Sequence, residues 1–187
     1  MHQVYLAVTQ SGTGFSKFIS LFTGNAPYAH AGISFSPTLN PLYSFGRKFT
    51  YTLWPSGFIA QGFGTHFYNH HPKGRLRVYL LQLNDAQKQT LDARLAPFLA
   101  KPKWYKYGMW NCVCYYIKKP CHRPRHYTCI GFVADMLEGI VQFDKDTSLV
   151  DAMDACALGL PLLYEGSFGE FSAEKLRDIP NERNCNP

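Results

Sequence analysis

The residues best suited to chemistry in this chain are one cysteine and one histidine far apart in the sequence. Cys129 follows Thr128, a residue type that caps helices, in the run TCIGFVADMLEGI (128–140). There Cys129, Val133, Met136 and Ile140 recur at helical spacing. A cysteine in the first turn of a helix meets backbone N–H groups that lack intrahelical partners. These favour the thiolate over a thiol of ordinary pKa about 8.5. The same donors serve an oxyanion that develops on a substrate carbonyl. A thiol nucleophile also needs a base to take its proton and return it to the leaving group. His30 suits that task. In YAHAGISF (28–35), Ala31, Ile33 and Phe35 fall on one face of a strand and His30, Gly32 and Ser34 on the other, so small neighbours leave room beside the imidazole for a helix end or a substrate. Taken singly, such a cysteine is an inert core thiol and such a histidine a sheet residue; pairing the two types adds little without a further pattern around them.

A third group must accept a proton from the second imidazole nitrogen and hold the ring in its useful tautomer. Pairing Ala31 and Ile33 with Phe45 and Tyr43 across a hairpin sets Ser44 opposite Gly32, diagonal to His30 and on its face. Gln61, on a later strand, and a backbone carbonyl are the other choices. Zinc is the competing chemistry, because Cys112, Cys114, Cys121, His122, His126 and Cys129 crowd one stretch. Cys-x-Cys is not the usual knuckle spacing, however, and on a helix Cys112 and Cys114 point about 200° apart. No metal and no cofactor is expected. His70 and His71 read as an exposed loop pair.

The elements that would position this pair can be traced along the chain. Residues 3–9 are apolar and β-branched enough for a strand, and Phe15, Phe18, Ile19 and Phe22 mark a short amphipathic helix. Residues 28–35 and 42–47 form two strands of a hairpin around a Pro-rich turn, with weaker strands near 50–53 and 57–61 and a clear one at 75–83. Asn84 and Gln87 make a capping-box pattern for a helix carrying Leu91, Leu95 and Phe98, which Pro97 should kink or end. Residues 104–117 read as a second, largely buried helix, followed by a basic loop and the Cys129 helix. A short helix near 149–158 and an extended LPLLYEG close the chain before a polar tail. Strands thus precede helices, the order of a segregated α+β domain with an antiparallel sheet packed against helices.

The chain has 187 residues, 46% hydrophobic and 16% aromatic. A single domain spanning 1–187, with its core at about 3–166, is expected at this length. Disorder, collagen and coiled coil are excluded by composition. No apolar run approaches the roughly 20 residues of a membrane span, and the N-terminal residues read as a first strand, not a signal peptide. A cytoplasmic location with reduced cysteines is therefore expected. The formal charge is +6. Lys101, Lys103, Lys106, Lys118, Lys119, Arg123 and Arg125 carry much of the excess with no acidic residue among them. The bland reading is a solvated face, and the sharper one an anionic surface as partner. Nucleic acid is not expected, since no recognised motif accompanies the patch.

The words YAHAGISF, YSFGR and YTCIGFVADML, in this order and spacing, resemble the circularly permuted branch of the NlpC/P60 papain-like superfamily, in particular its YiiX/YaeF-like members. The lecithin:retinol acyltransferase-like group is a more distant cousin. The resemblance spans most of residues 3–140 plus the LYEG element (163–166). It implies a permuted papain-like fold, Cys129 as nucleophile and His30 as general base. Ile130 departs from the pattern, where Ser is often found. The implied activity is a cysteine hydrolase of peptidase or amidase type acting on an amide or ester carbonyl through an acyl-cysteine. The implied substrate is a peptide, a cell-wall peptide or an acylated small molecule. A lipid acyltransferase or thioesterase-like activity, and a catalytically inactive papain-like binding module, are the alternatives.

Overall fold

The computed structural model describes residues 1–11, 28, 30–48, 55–63, 66–111, 123–141 and 159–176. Its centre is a mixed sheet of eight strands, all but one pair of them antiparallel. In chain order these are β1 (His2–Gln10), β2 (His30–Ser34), β3 (Leu42–Arg47), β4 (Ser56–Gln61), β5 (Arg75–Leu83), β6 (Lys106–Tyr107), β7 (His126–Tyr127) and β8 (Leu162–Ser167). Across the sheet the order is β7-β6-β4-β3-β2-β1-β5-β8. Three helices accompany it among the described residues: α1 (His66–His70), α2 (Asp85–Ala100) and α3 (Cys129–Leu137).

Period-two alternation gives the sheet two apolar faces. Val4, Leu6, Val8, Ala31, Ile33, Phe45, Phe58, Tyr79 and Leu81 pack against Leu91, Leu95 and Phe98 of α2 and Phe132, Val133, Met136 and Leu137 of α3. Rings dominate the middle of this layer: Phe45 lies 5.4 Å from Phe132, 5.7 Å from Phe58 and 5.2 Å from Tyr127, centroid to centroid. On the opposite face Tyr5, Ala7, Leu42, Leu76, Val78 and Tyr164 are covered by Leu39, Tyr68, Phe168 and Leu176. That second cover comes from turns and short helices, so α2 and α3 sit on one side only, as an α+β arrangement requires.

The hairpin of β2 and β3 forms with Ile33 opposite Tyr43, the register that sets Ser44 opposite Gly32. Asn84 caps α2 as the sequence suggests: its side chain accepts from the Gln87 N–H, and the Gln87 side chain accepts from the Asn84 N–H. Pro97 does not end the helix, which runs on to Ala100. Pro97 and Ala93 are both exposed, so the Ala93 carbonyl, which loses the N–H partner that Pro97 cannot supply, is open to water.

Two sequence expectations fail at residues 104–110, while residues 112–117 of the expected helix lie outside the described residues. Pro102–Trp104 is a 3₁₀ turn, and Lys106–Tyr107 is a strand. Gly57 opposite Lys106 and Tyr127 beside Tyr107 recruit those two residues to the sheet, and neither partner is near in sequence. Met109 and Trp110 begin a helical turn but are exposed, so the start of the expected helix is not buried. Strands also continue past residue 83, since β6, β7 and β8 all join the sheet late. The expected helices near residues 15–22 and 149–158, and the weak strand at 50–53, lie outside the described residues.

Candidate active site

Cys129 is delivered by β7. Parallel pairing with β6 holds this strand through Lys106 N–H to Arg125 O and Gly108 N–H to Tyr127 O, both 2.9 Å, and the Asn111 side-chain amide donates to His126 O at 3.1 Å. Thr128 then leaves the strand in an extended conformation (φ −86°, ψ 165°) and caps α3. Its hydroxyl oxygen accepts from the Gly131 N–H at 3.0 Å, and its carbonyl takes the Phe132 N–H at 3.0 Å. Cys129 is therefore the first residue of the helix, at the positive end of its dipole. The Ile130 N–H lies next to the sulfur-bearing residue and takes no part in the cap. The Cys129 side chain is buried, with 3% of the residue exposed. Ile140, expected on the buried face of this helix, lies beyond its end, half-buried, after Gly139 turns the chain with φ +70°.

His30 opens β2. Counting out from the Ile33–Tyr43 pair sets it opposite Gly46, and its ring Cε1 lies 3.4 Å from where a Cβ on Gly46 would stand. A Cβ at 46 would touch the imidazole at ordinary contact distance and crowd Ile59 Cδ1 more closely, at 3.1 Å. Removal from water, and then the Arg47 guanidinium, push the His30 pKa down from 6.5 to about 4, so the ring is neutral at neutral pH. The Arg47 guanidinium also lowers the pKa of half-buried His71, though burial contributes more there.

Ser44 is buried on the His30 face, and its hydroxyl donates to the Ala31 carbonyl. With its proton so committed, the oxygen has only acceptor capacity left to offer an imidazole N–H. Among the described residues no hydrogen bond joins Ser44 to His30. Gln61 is not brought to the site. It pairs with Leu42 at the far end of β4, whereas His30 lies level with Gly46 and Gly57. Four residues of strand, about 13 Å, separate the two levels.

Across the sheet, His126, Lys106, Gly57, Gly46, His30 and Thr9 form one transverse row. Cys129, three residues beyond His126, and His30 thus stand at the same end of the sheet. They approach from opposite faces. α3 packs on the Ala31–Phe45 side, while the His30 side chain leaves β2 on the other. The room expected beside Gly32 and Ser34 is not taken by a helix end: a Cβ on Gly32 would meet Leu42 at 2.9 Å, and Ser34 is fully buried. A sulfur–imidazole contact has to run round the end of β2, and among the described residues no hydrogen bond joins the two.

A second imidazole stands in the same row. His126 Nδ1 lies 2.9 Å from Pro124 O, and because a carbonyl only accepts, Nδ1 carries the proton. In the neutral ring Nε2 is then the basic nitrogen, the tautomer a general base needs. Sequence reading grouped His126 with the metal candidates; its value as a base depends on a left-handed turn at Arg125 (φ +62°), which spacing does not reveal. No group of three His, Cys, Asp or Glu side chains suited to a metal occurs among the described residues, and Cys112, Cys114, Cys121 and His122 lie outside them. No described helix is long and apolar enough to cross a membrane. A scan against protein-family models finds no match, and comparisons with curated proteins and with solved structures find none either.

Proposed function

We propose that the chain is a cysteine hydrolase on a permuted papain-like scaffold of the NlpC/P60 kind, with Cys129 attacking an amide or ester carbonyl. The observation that carries this reading is the position of Cys129 as the first residue of α3, directly after a Thr128 cap, at the sheet end where His30 also stands. The sulfur adds to the carbonyl carbon while His30, reaching round the end of β2, takes the thiol proton. The oxyanion is met by the helix tip, where the Ile130 N–H is the donor beside the sulfur. Collapse breaks the bond to the leaving amine or alcohol, which departs with the proton from His30. Water then attacks the thioester, releases the acid and restores the thiol. Burial keeps the His30 imidazole neutral at neutral pH, which leaves it able to accept a proton. Ser44, diagonal to His30, is the positioning residue. Peptide or isopeptide amides are the first substrate class, with acyl esters second.

A binding module without turnover is the second reading. It is favoured by the burial of Cys129 together with the departure of His30 from the opposite face of β2. The two separate on acyl-enzyme trapping. Brief incubation with a p-nitrophenyl ester followed by mass spectrometry should find one acyl group on Cys129, absent in Cys129→Ser. Ester turnover that survives Cys129→Ala, or no adduct at residue 129, rejects the hydrolase. Loss of the adduct in His126→Ala but not in His30→Ala transfers the role of base to His126.

A further inference from the structure

Apart from Met1, every large apolar side chain exposed among the described residues falls between positions 99 and 110: Leu99, Trp104, Met109 and Trp110. Trp104 is 53% and Trp110 60% exposed. Their Cα atoms, six residues apart, can be separated by at most about 20 Å. Cations surround the first of these rings. Lys101 Nζ lies 4.2 Å and Arg125 Cζ 4.9 Å from the Trp104 centroid. Lys103, Lys106 and Arg123 are exposed beside them, and the sequence holds no acidic residue between Asp92 and Asp135. None of these five cations is ion-paired among the described residues. The arrangement is built in, since pairing of β6 with β7 fixes Arg125 next to Lys106 through the Lys106 N–H to Arg125 O bond.

We propose that the β6–β7 edge of the sheet, centred on Trp104, docks the protein on an anionic lipid bilayer. Tryptophan settles at the headgroup level, leucine and methionine reach the acyl boundary, and lysine and arginine meet anionic headgroups. This combination distinguishes the partner. A nucleic acid would need an open ring face for base stacking, whereas Lys101 and Arg125 already lie over Trp104; exposed Leu99 and Met109 add nothing to such stacking. An acidic protein surface matches the charge but gives these apolar side chains no acyl layer to enter. The proposal does not depend on the chemistry of Cys129.

The test is flotation of the full chain with phosphatidylcholine vesicles prepared with and without phosphatidylserine. Binding to the anionic vesicles alone is expected, lost at high salt and accompanied by a blue shift of tryptophan emission. Arg125→Glu and Lys101→Glu, both on exposed residues, should each weaken binding by about fivefold or more. Trp104→Ala should lower binding without changing its salt dependence. Lys73→Glu, on the far side of four intervening strands, and Cys129→Ala should bind like the unaltered chain. Failure to float with anionic vesicles at low salt overturns the proposal. So does tighter, Trp104-dependent binding to a single-stranded oligonucleotide or to polyglutamate.

Discussion

His30 makes a prediction about stability that does not need a substrate. In the unfolded chain its imidazole titrates near 6.5, and in the folded protein near 4. Between those values the unfolded chain binds more protons than the folded one, so stability must rise with pH across that window. The contribution is complete above about pH 6.5, is lost progressively as pH falls toward about 4, and changes no further below. Each unit of difference corresponds to about 1.4 kcal/mol, so the ceiling is about 3 kcal/mol. The residue as a whole keeps some exposure, and the discount this calls for brings the expected effect to about 1–2 kcal/mol. The perturbation is His30→Gln, which removes the titration and keeps a polar side chain. Urea unfolding of both proteins at neutral pH and near pH 4 gives a difference of differences in which the carboxylates cancel. The unaltered chain should lose about 1–2 kcal/mol more than the variant on acidification. Equal losses, or a larger loss in the variant, would refute the desolvated, neutral imidazole.

Three further outcomes follow from local structure. Thr128→Ala removes the acceptor for the Gly131 N–H and should cost about 1 kcal/mol in urea unfolding, with Thr128→Ser recovering most of it. Phe132→Ala opens a cavity among Phe45, Phe58 and Phe98 and should cost about 3–5 kcal/mol; a loss below 1 kcal/mol by the same assay would contradict the packing of α3 on the sheet. Gly57→Ala would set a Cβ 2.6 Å from the Tyr105 carbonyl oxygen. It should detach the β6 edge, seen as accelerated amide exchange at Lys106 and Gly108.

What the sequence made legible depended on how local the cause was. LYSFGR and RLRVYLLQL declare themselves because both are short, rich in β-branched, aromatic and aliphatic residues, and bounded by turn residues. The caps at Asn84 and Thr128 are local chemistry within three residues, so both were readable. The Ile33–Tyr43 register followed from matching apolar positions across one short turn. Lys106–Tyr107 was not readable, because an aromatic run with helical spacing is overruled by Gly57 and Tyr127, far away in the chain. The site was half legible for the same reason. Alternation separated His30 from Ala31 correctly, but which face α3 would cover was decided by the ring cluster around Phe45, and the small-residue face beside His30 went to Leu42 instead. His126 stood only among the metal candidates because its hydrogen bond to Pro124 arises only once the turn at Arg125 is made.

The central claim is that the Cys129 sulfur is activated by its place at the start of α3 and by an imidazole at the same end of the sheet. The rate of iodoacetamide labelling, resolved by peptide mass mapping over mildly acidic to neutral pH, tests it most directly. Cys129 should react faster than each of the other cysteines in the native chain, and His30→Ala should erase that lead while Cys129 keeps its native rank in His70→Ala. Uniform labelling of the cysteines, or a Cys129 rate indifferent to His30, would contradict the claim.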